Sequence, residues 1–293
     1  MTNADLPALR RWAMALTMSC ITWTLSAAAL GAGIAMVTDL QGKASASGDA
    51  AAPTLTILAE LQPGAQVQLG AGGTLVVLYL DVGDEYVFKG PATIVFHPSQ
   101  PEVMKGQKPE KRSALGKDGK DIRIKPVGMA QAAIVMRGAR ANARIQLLNL
   151  RDTRTLETQP EFRWQALQPG LRYGFKLSDE TGRTVFETTV VATSFKLPAT
   201  VQLKEGVPYT WEVSGRVSDG KKYATAGDFV VAPADVLAQA AALRPATSAP
   251  LSSRVAYAAW LDQMELKDEA RKYWQEAAAE RPDDPRLKAL AER

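Results

Sequence analysis

A mainly β protein that ends in α-helices, set behind an N-terminal membrane helix, is the fold class this sequence predicts. Three observations carry it. An uncharged run extends from Trp12 to Val37, period-two apolar stretches punctuated by Gly, Pro and Asp fill Thr54 to Ala232, and an Ala-rich, turn-poor stretch follows Pro233. The 293 residues suffice for two or three domains of roughly 100 to 200 residues each. With 46% hydrophobic and 23% charged residues, the composition is that of a folded body rather than a disordered one.

Composition also excludes chemistry. The formal net charge is +4, from 35 basic residues spread among 31 acidic ones, so no nucleic-acid platform is implied. The single cysteine, Cys20, lies inside the apolar run, and the body therefore has no disulfide to rely on. The single histidine, His97, removes two-histidine zinc sites and leaves any histidine-based triad hanging on one residue. No cofactor is expected.

Residues 12–37 form 26 consecutive uncharged positions, more than the roughly 20 needed to span a bilayer core. Arg10 and Arg11 precede the run while Asp39 and Lys43 follow it, which places residues 1–11 in the cytoplasm and the body on the export side. Two readings stand, a retained anchor and a cleaved signal, because Ala27 to Ala29 and Ala44-Ser45-Ala46 offer processing sites. The first makes the protein single-pass in the inner membrane with a periplasmic body; the second releases that body to the periplasm. Residues 38–53, rich in Gly, Ala and Ser, read as a flexible linker.

Residues 54–140 read as a β meander. Apolar stretches at Thr54 to Leu61, Val67 to Leu69, Leu75 to Leu80, Tyr86 to Phe88 and Thr93 to Phe96 are separated by turns at Pro63-Gly64, Gly70 to Gly73, Asp81 to Asp84 and Lys89-Gly90-Pro91. That order of strands and turns over Gln66 to Phe96 resembles the core of the FecR-type domain. The resemblance implies an export-side sensing or interaction module, in some members coupled to a cytoplasmic segment that controls a sigma factor. Eleven residues before the apolar run cannot hold such a regulatory domain. Residues 105–125 form a basic loop or hairpin, in which Lys105, Lys108, Lys111 and Arg112 are the candidates for contact with anionic headgroups or wall polymers. A solvated turn around Asp118-Gly119 is the plainer account of the same charges. Ile122, Ile124 and Ala132 to Met136 are expected to return as strands.

Residues 141–232 carry a clearer period of two: Ile145 and Leu147, Phe162 and Trp164, Tyr173 to Leu177, Val185, Phe195 and Leu197, Tyr209 to Val213, Phe229 and Val231. Around seven strands follow, as expected of an immunoglobulin-like sandwich. Pro160 to Trp164 and Tyr209 to Val213 resemble the aromatic strands of fibronectin type III-like domains, a fold that implies no single function. Trp164, Tyr173, Tyr209 and Trp211 alternate with polar residues, as one buried sheet face does; a sugar-stacking platform is the lesser alternative.

Residues 233–293 are helical, with one helix over 234–243, a linker over 245–250 and a helical hairpin beyond. In 251–282, Ala258, Leu261, Ala270, Trp274, Ala277 and Pro282 resemble a tetratricopeptide repeat, although Arg254 stands where an aromatic is usual. By that resemblance the ligand-facing side is Ser252, Val255, Ala259, Asp262 and Gln263. A lone repeat cannot bury both faces, so it must dock on the sandwich, on a second copy or on an envelope partner.

Enzyme signatures are weak. Gly70 to Gly73 lacks the Lys-Ser or Lys-Thr of a phosphate loop, and Asp81, Asp84 and Glu85 match no calcium loop. The sequence therefore reads as a non-enzymatic envelope scaffold, sensor or protein-interaction module, with wall-polymer or polysaccharide binding as the alternative and no catalytic, cofactor or metal residues.

Overall fold

Short strands joined by tight turns build the first part of the chain. The computed structural model describes residues 33–47, 54–114 and 145–293, which belong to one compact unit spanning Ala32–Arg293. Nine strands, β1 (Ala35–Gln41), β2 (Ala44–Ser47), β3 (Glu60–Leu61), β4 (Gln66–Leu69), β5 (Thr74–Tyr79), β6 (Asp84–Lys89), β7 (Ala92–Phe96), β8 (Pro101–Lys105) and β9 (Glu110–Ser113), form two antiparallel sheets ordered β3-β1-β5-β6-β9 and β2-β4-β7-β8. Val37, Val77, Tyr79, Phe88, Ile94 and Phe96 fill the space between the sheets.

β1 and β5 lie at the centre of the first sheet and are buried on both faces. Leu75, Val77 and Tyr79 point toward the second sheet, whereas Leu78 and Leu80 join Met36 in a cluster with the C-terminal helices. A strand covered on both sides loses its polar alternation and reads as a continuous apolar run.

This corrects two boundaries. The apolar run assigned to a membrane helix over 12–37 does not extend that far as a helix: Ala35, Met36 and Val37 are strand β1, apolar because protein covers both of their faces. The linker assigned to 38–53 also holds the rest of β1 and all of β2, so the β body begins about twenty residues before Thr54. Residues 12–32 and 48–53 lie outside the described residues, as do Ile122, Ile124 and Ala132 to Met136. Among the described residues no helix is long and apolar enough to cross a membrane.

The second β part contains β10 (Thr153–Thr155), β11 (Glu161–Arg163), β12 (Tyr173–Asp179), β13 (Thr184–Val190), β14 (Ser194–Lys196), β15 (Pro208–Arg216) and β16 (Lys222–Val231). Its main sheet runs β10-β16-β15-β12-β13, and β11 pairs with β14 in a second, smaller one. The aromatic positions form a single core, with Phe162 centred 4.9 Å from Phe175 and 5.0 Å from Trp211. Trp164, Tyr173, Tyr209 and Trp211 are buried, which leaves no stacking platform on that face. β10 pairs parallel to β16 at the sheet edge and has no apolar alternation to announce it.

Four helices follow: α1 (Ala234–Leu243), α2 (Leu251–Gln263), α3 (Lys267–Glu280) and α4 (Pro285–Ala291). Pro233 and Pro250 stand at the N-caps of α1 and α2, where a missing N–H costs nothing. Asp284 caps α4, accepting from the N–H groups of Arg286 and Leu287 at 2.9 and 3.1 Å. α2 is buried almost all round, as expected of a helix walled in on every side. α1 is tied to it by the Tyr257 hydroxyl, which donates to the Ala240 carbonyl at 2.9 Å.

Candidate functional site

The face assigned to an external ligand by the repeat resemblance is largely occupied by the chain itself. Ser252, Val255 and Ala259 are buried, and Val255 and Ala259 sit in the same cluster as Met36, Ile57 and Leu78 of the first β part. The hairpin thus docks on the outer face of the β3-β1-β5-β6-β9 sheet. This corrects the reading of those three residues as an open partner surface: an apolar face with no second repeat to cover it has found the chain's own strands. Asp262 and Gln263, at the end of α2, remain half-buried.

Polar links fix the docking. Arg281 donates from Nε and Nη2 to the two carboxylate oxygens of Asp39 at 3.0 and 2.9 Å, a fork-to-fork pair. The Ile57 N–H donates to Asp284 Oδ2 at 3.2 Å. Glu85, fully buried in β6, faces Arg112 directly across the β6–β9 pairing, with Nε to Oε2 at 2.5 Å, and accepts from the Thr38 hydroxyl at 3.1 Å. Arg112 then reaches on to Ser252 Oγ at 3.0 Å. One residue assigned to anionic contact and one assigned to partner contact are therefore spent on each other.

The remaining basic candidates divide. Lys111 pairs with Asp84 at 2.7 Å over the Tyr86 ring, and the hydrogen bond to Asp84 holds its ammonium above the usual lysine range. Lys105 and Lys108 are exposed. With Glu85 neutralised internally and Asp84 bound to Lys111, the acidic turn residues do not converge on a shared position. His97 is exposed and lies 3.0 Å from Glu102. Among the described residues no group of acidic, histidine or cysteine side chains could hold a metal ion.

The other end of the hairpin plugs into the second β part. The N–H of Arg154, in β10, donates to the Glu265 carbonyl at 2.8 Å, and the Thr153 hydroxyl donates to the same carbonyl at 2.9 Å. The Lys267 N–H donates to Thr153 Oγ1 at 3.0 Å, and the Leu150 N–H to Asp268 Oδ2 at 2.7 Å. The edge of β10 is thus covered by the α2–α3 turn. Leu150, Asp152 and Glu265 all adopt left-handed backbone, with φ of 51°, 48° and 63°. Each such residue costs about 1 kcal/mol, and three together mark a junction that the surrounding bonds over-determine. Trp211 Nε1 donates to the Leu150 carbonyl at 2.8 Å from inside the core, fixing the loop from below.

Beside this junction lies a groove of about 870 Å³ between residues 146–152 and the hairpin, within the size range of ligand sites. Leu148 projects into it half-exposed, and Asp262, Gln263, Lys267, Asp268, Arg271 and Gln275 form the opposite wall. A second hollow of about 430 Å³ shares Leu148, Asn149, Asp268, Arg271 and Gln275 and extends the groove past Arg154 and Glu161. Burial pushes the Asp262 carboxyl up, opposed by the hydrogen bond from Trp274 Nε1 at 2.9 Å and by nearby cations. The larger groove is lined by four acids, Asp152, Asp262, Asp268 and Glu292, and four bases, Arg151, Lys267, Arg271 and Arg293.

Of the five partner-facing residues predicted from the repeat, Ala259, Asp262 and Gln263 line this groove, though Ala259 is itself covered. The wall from Gln146 to Asp152 was not anticipated. Its only signal is Leu148, an apolar residue out of step with Ile145 and Leu147.

No protein-family model and no curated protein matches the chain. Solved structures with partial similarity include CopC from Methylosinus trichosporium OB3b, 17% identical with a TM-score of 0.25, covering 31% of this chain and 96% of that one. Another is PorZ, a surface component of the type-IX secretion system of Porphyromonas gingivalis, 11% identical with a TM-score of 0.22, covering 54% of this chain and 21% of that one.

Proposed function

We propose that this protein is a non-enzymatic envelope module, held on or carried to the export side by its N-terminal apolar run, that engages a segment of a partner protein in the groove between residues 146–152 and the helical hairpin. The export-side address is read from the uncharged run and its flanking arginines. The domain resemblances, to FecR-type, fibronectin type III-like and tetratricopeptide modules, fit an interaction role without naming a partner.

One observation carries the reading: the groove is walled by the second β part and the C-terminal helices, balances four acids against four bases, and presents Leu148 half-exposed. A site with no net formal charge and one half-exposed apolar anchor suits a polypeptide, which brings both signs of charge and apolar side chains, better than a polyanion. Holding the junction rigid beforehand lowers the ordering cost of binding.

Photo-cross-linking in the native host, with a benzophenone side chain at Leu148 and a control at Val191, tests it. A discrete protein adduct from position 148, lost when Arg271→Glu and Lys267→Glu turn the balanced groove acidic and absent from position 191, is the expected outcome. Equal adducts at both positions, or an adduct at 148 indifferent to those two substitutions, would overturn the groove reading.

A further inference from the structure

The two sheets of the first β part alternate up and down, so their connections collect at two ends. The β1–β2 turn (Gly42-Lys43), the β4–β5 turn (Gly70 to Gly73), the β6–β7 turn (Lys89-Gly90-Pro91) and the β8–β9 connection (Lys105 to Pro109) all fall at one end, because Ala44 pairs with Leu69, Thr74 with Lys89 and Thr93 with Lys105. Hydrogen bonds join these turns: the Gly70 N–H donates to the Lys43 carbonyl at 2.9 Å and the Gly90 N–H to the Gly73 carbonyl at 2.8 Å. The backbones meet so closely that only glycine fits. A Cβ on Gly90 would stand 1.9 Å from the Gly70 carbonyl oxygen, and one on Gly106 would stand 2.9 Å from Ala92 Cβ.

This glycine-closed end carries Lys43, Lys89, Lys105 and Lys108, all exposed. Among the described residues none of the four makes an ion pair, in contrast to Lys111 with Asp84. The four turns contain no acid; Glu110, the first residue of β9, is the nearest in sequence. They contain no aromatic residue to stack on a base and no large apolar residue to enter a bilayer. Lysines act as flexible point charges rather than the forked donors that select one carboxylate or phosphate geometry.

We infer that this end is a docking surface for a linear polyanionic glycan, bearing carboxylate or phosphate groups, that runs across the four turns. Lys43 and Lys89 belong to the surface although they lie far from Lys105 in sequence, whereas Lys111 and Arg112 are excluded from it by their internal partners. A bilayer is the weaker occupant. The turns offer charge without the apolar side chains that seat a surface in the headgroup layer. The inference shares with the proposed function only the export-side address and uses none of the groove residues.

The test is binding of fluorescently labelled polygalacturonate to the full chain in non-ionic detergent at low salt, read by anisotropy. Replacing Lys43, Lys89, Lys105 and Lys108 together by Gln should weaken binding about a hundredfold, and replacing the exposed Lys176, Lys196, Lys204 and Lys222 should weaken it no more than about threefold. Both quadruple variants lower the net charge equally, so equal losses would show a response to overall charge and overturn the assignment. So would an unaffected lysine-end variant, the absence of binding by the natural chain, or lysine-dependent binding to vesicles of phosphatidylglycerol and phosphatidylcholine at about 1:3 without binding to the glycan.

Discussion

Val255→Asp is expected to lower the stability of the body by about 4 kcal/mol or more, and to do so in one cooperative transition rather than by shedding the hairpin alone. Val255 is fully buried in a cluster that runs from Met36 and Leu78 of the first sheet through α1 to α4. A carboxylate there enters a cluster of apolar side chains and must either lose its hydration or open the helix–sheet contact. Because α2 is enclosed on all sides, opening it also exposes Tyr257, Trp260 and Leu261. Urea unfolding followed by tryptophan fluorescence measures the effect, with Val191→Asp as the control; Val191 is 57% exposed and its replacement should cost less than about 0.5 kcal/mol. Were position 255 facing an absent partner instead, the two substitutions would cost similar small amounts.

Arg112→Met carries the second large effect. It removes the cation from a carboxylate that is wholly buried and leaves Glu85, among the described residues, with the Thr38 hydroxyl as its side-chain hydrogen-bond partner. Breaking a buried pair from one side costs about 3–5 kcal/mol, and the one-third exposure of the Arg112 side chain reduces that to about 2–4 kcal/mol. The double variant Glu85→Leu with Arg112→Met should recover most of the loss, since no charge is then stranded. The same unfolding experiment reads both, and a double variant no more stable than Arg112→Met would show that the arginine acts through Ser252 and the helix rather than through Glu85.

How far the fold was legible depended on burial. Strands with one wet face, such as β12 with Tyr173, Phe175 and Leu177 or β15 with Tyr209, Trp211 and Val213, announce themselves by alternation. β1 does not, because protein covers both of its faces; Ala35-Met36-Val37 then merges with the preceding apolar run and resembles its continuation. β10 fails for the opposite reason: Thr153-Arg154-Thr155 is held by parallel pairing to β16 and by the Glu265 carbonyl, neither of which leaves a mark in the sequence. The hairpin was readable from Ala258, Ala270 and Trp274, but what covers it was not, since packing partners separated by some 200 residues leave no local pattern. The groove was half legible. Asp262 and Gln263 came from the repeat spacing, whereas the Gln146 to Asp152 wall depends on the left-handed Leu150, a residue type that carries no turn signal.

The hairpin is an internal wedge that binds two β parts into one body, so that Ser252, Val255 and Ala259 of its repeat-type face are covered by the chain itself. Native-state hydrogen exchange on the full chain tests this most directly. Amides of Tyr257 to Leu261 in α2 should exchange with opening free energies within about 1 kcal/mol of those at Val76 to Leu78 in β5 and Trp211 to Val213 in β15, all moving together under mild denaturant. Exchange in α2 and α3 at several kcal/mol less, with β5 and β15 still protected, would contradict it and return the hairpin to the role of a detachable partner-binding element.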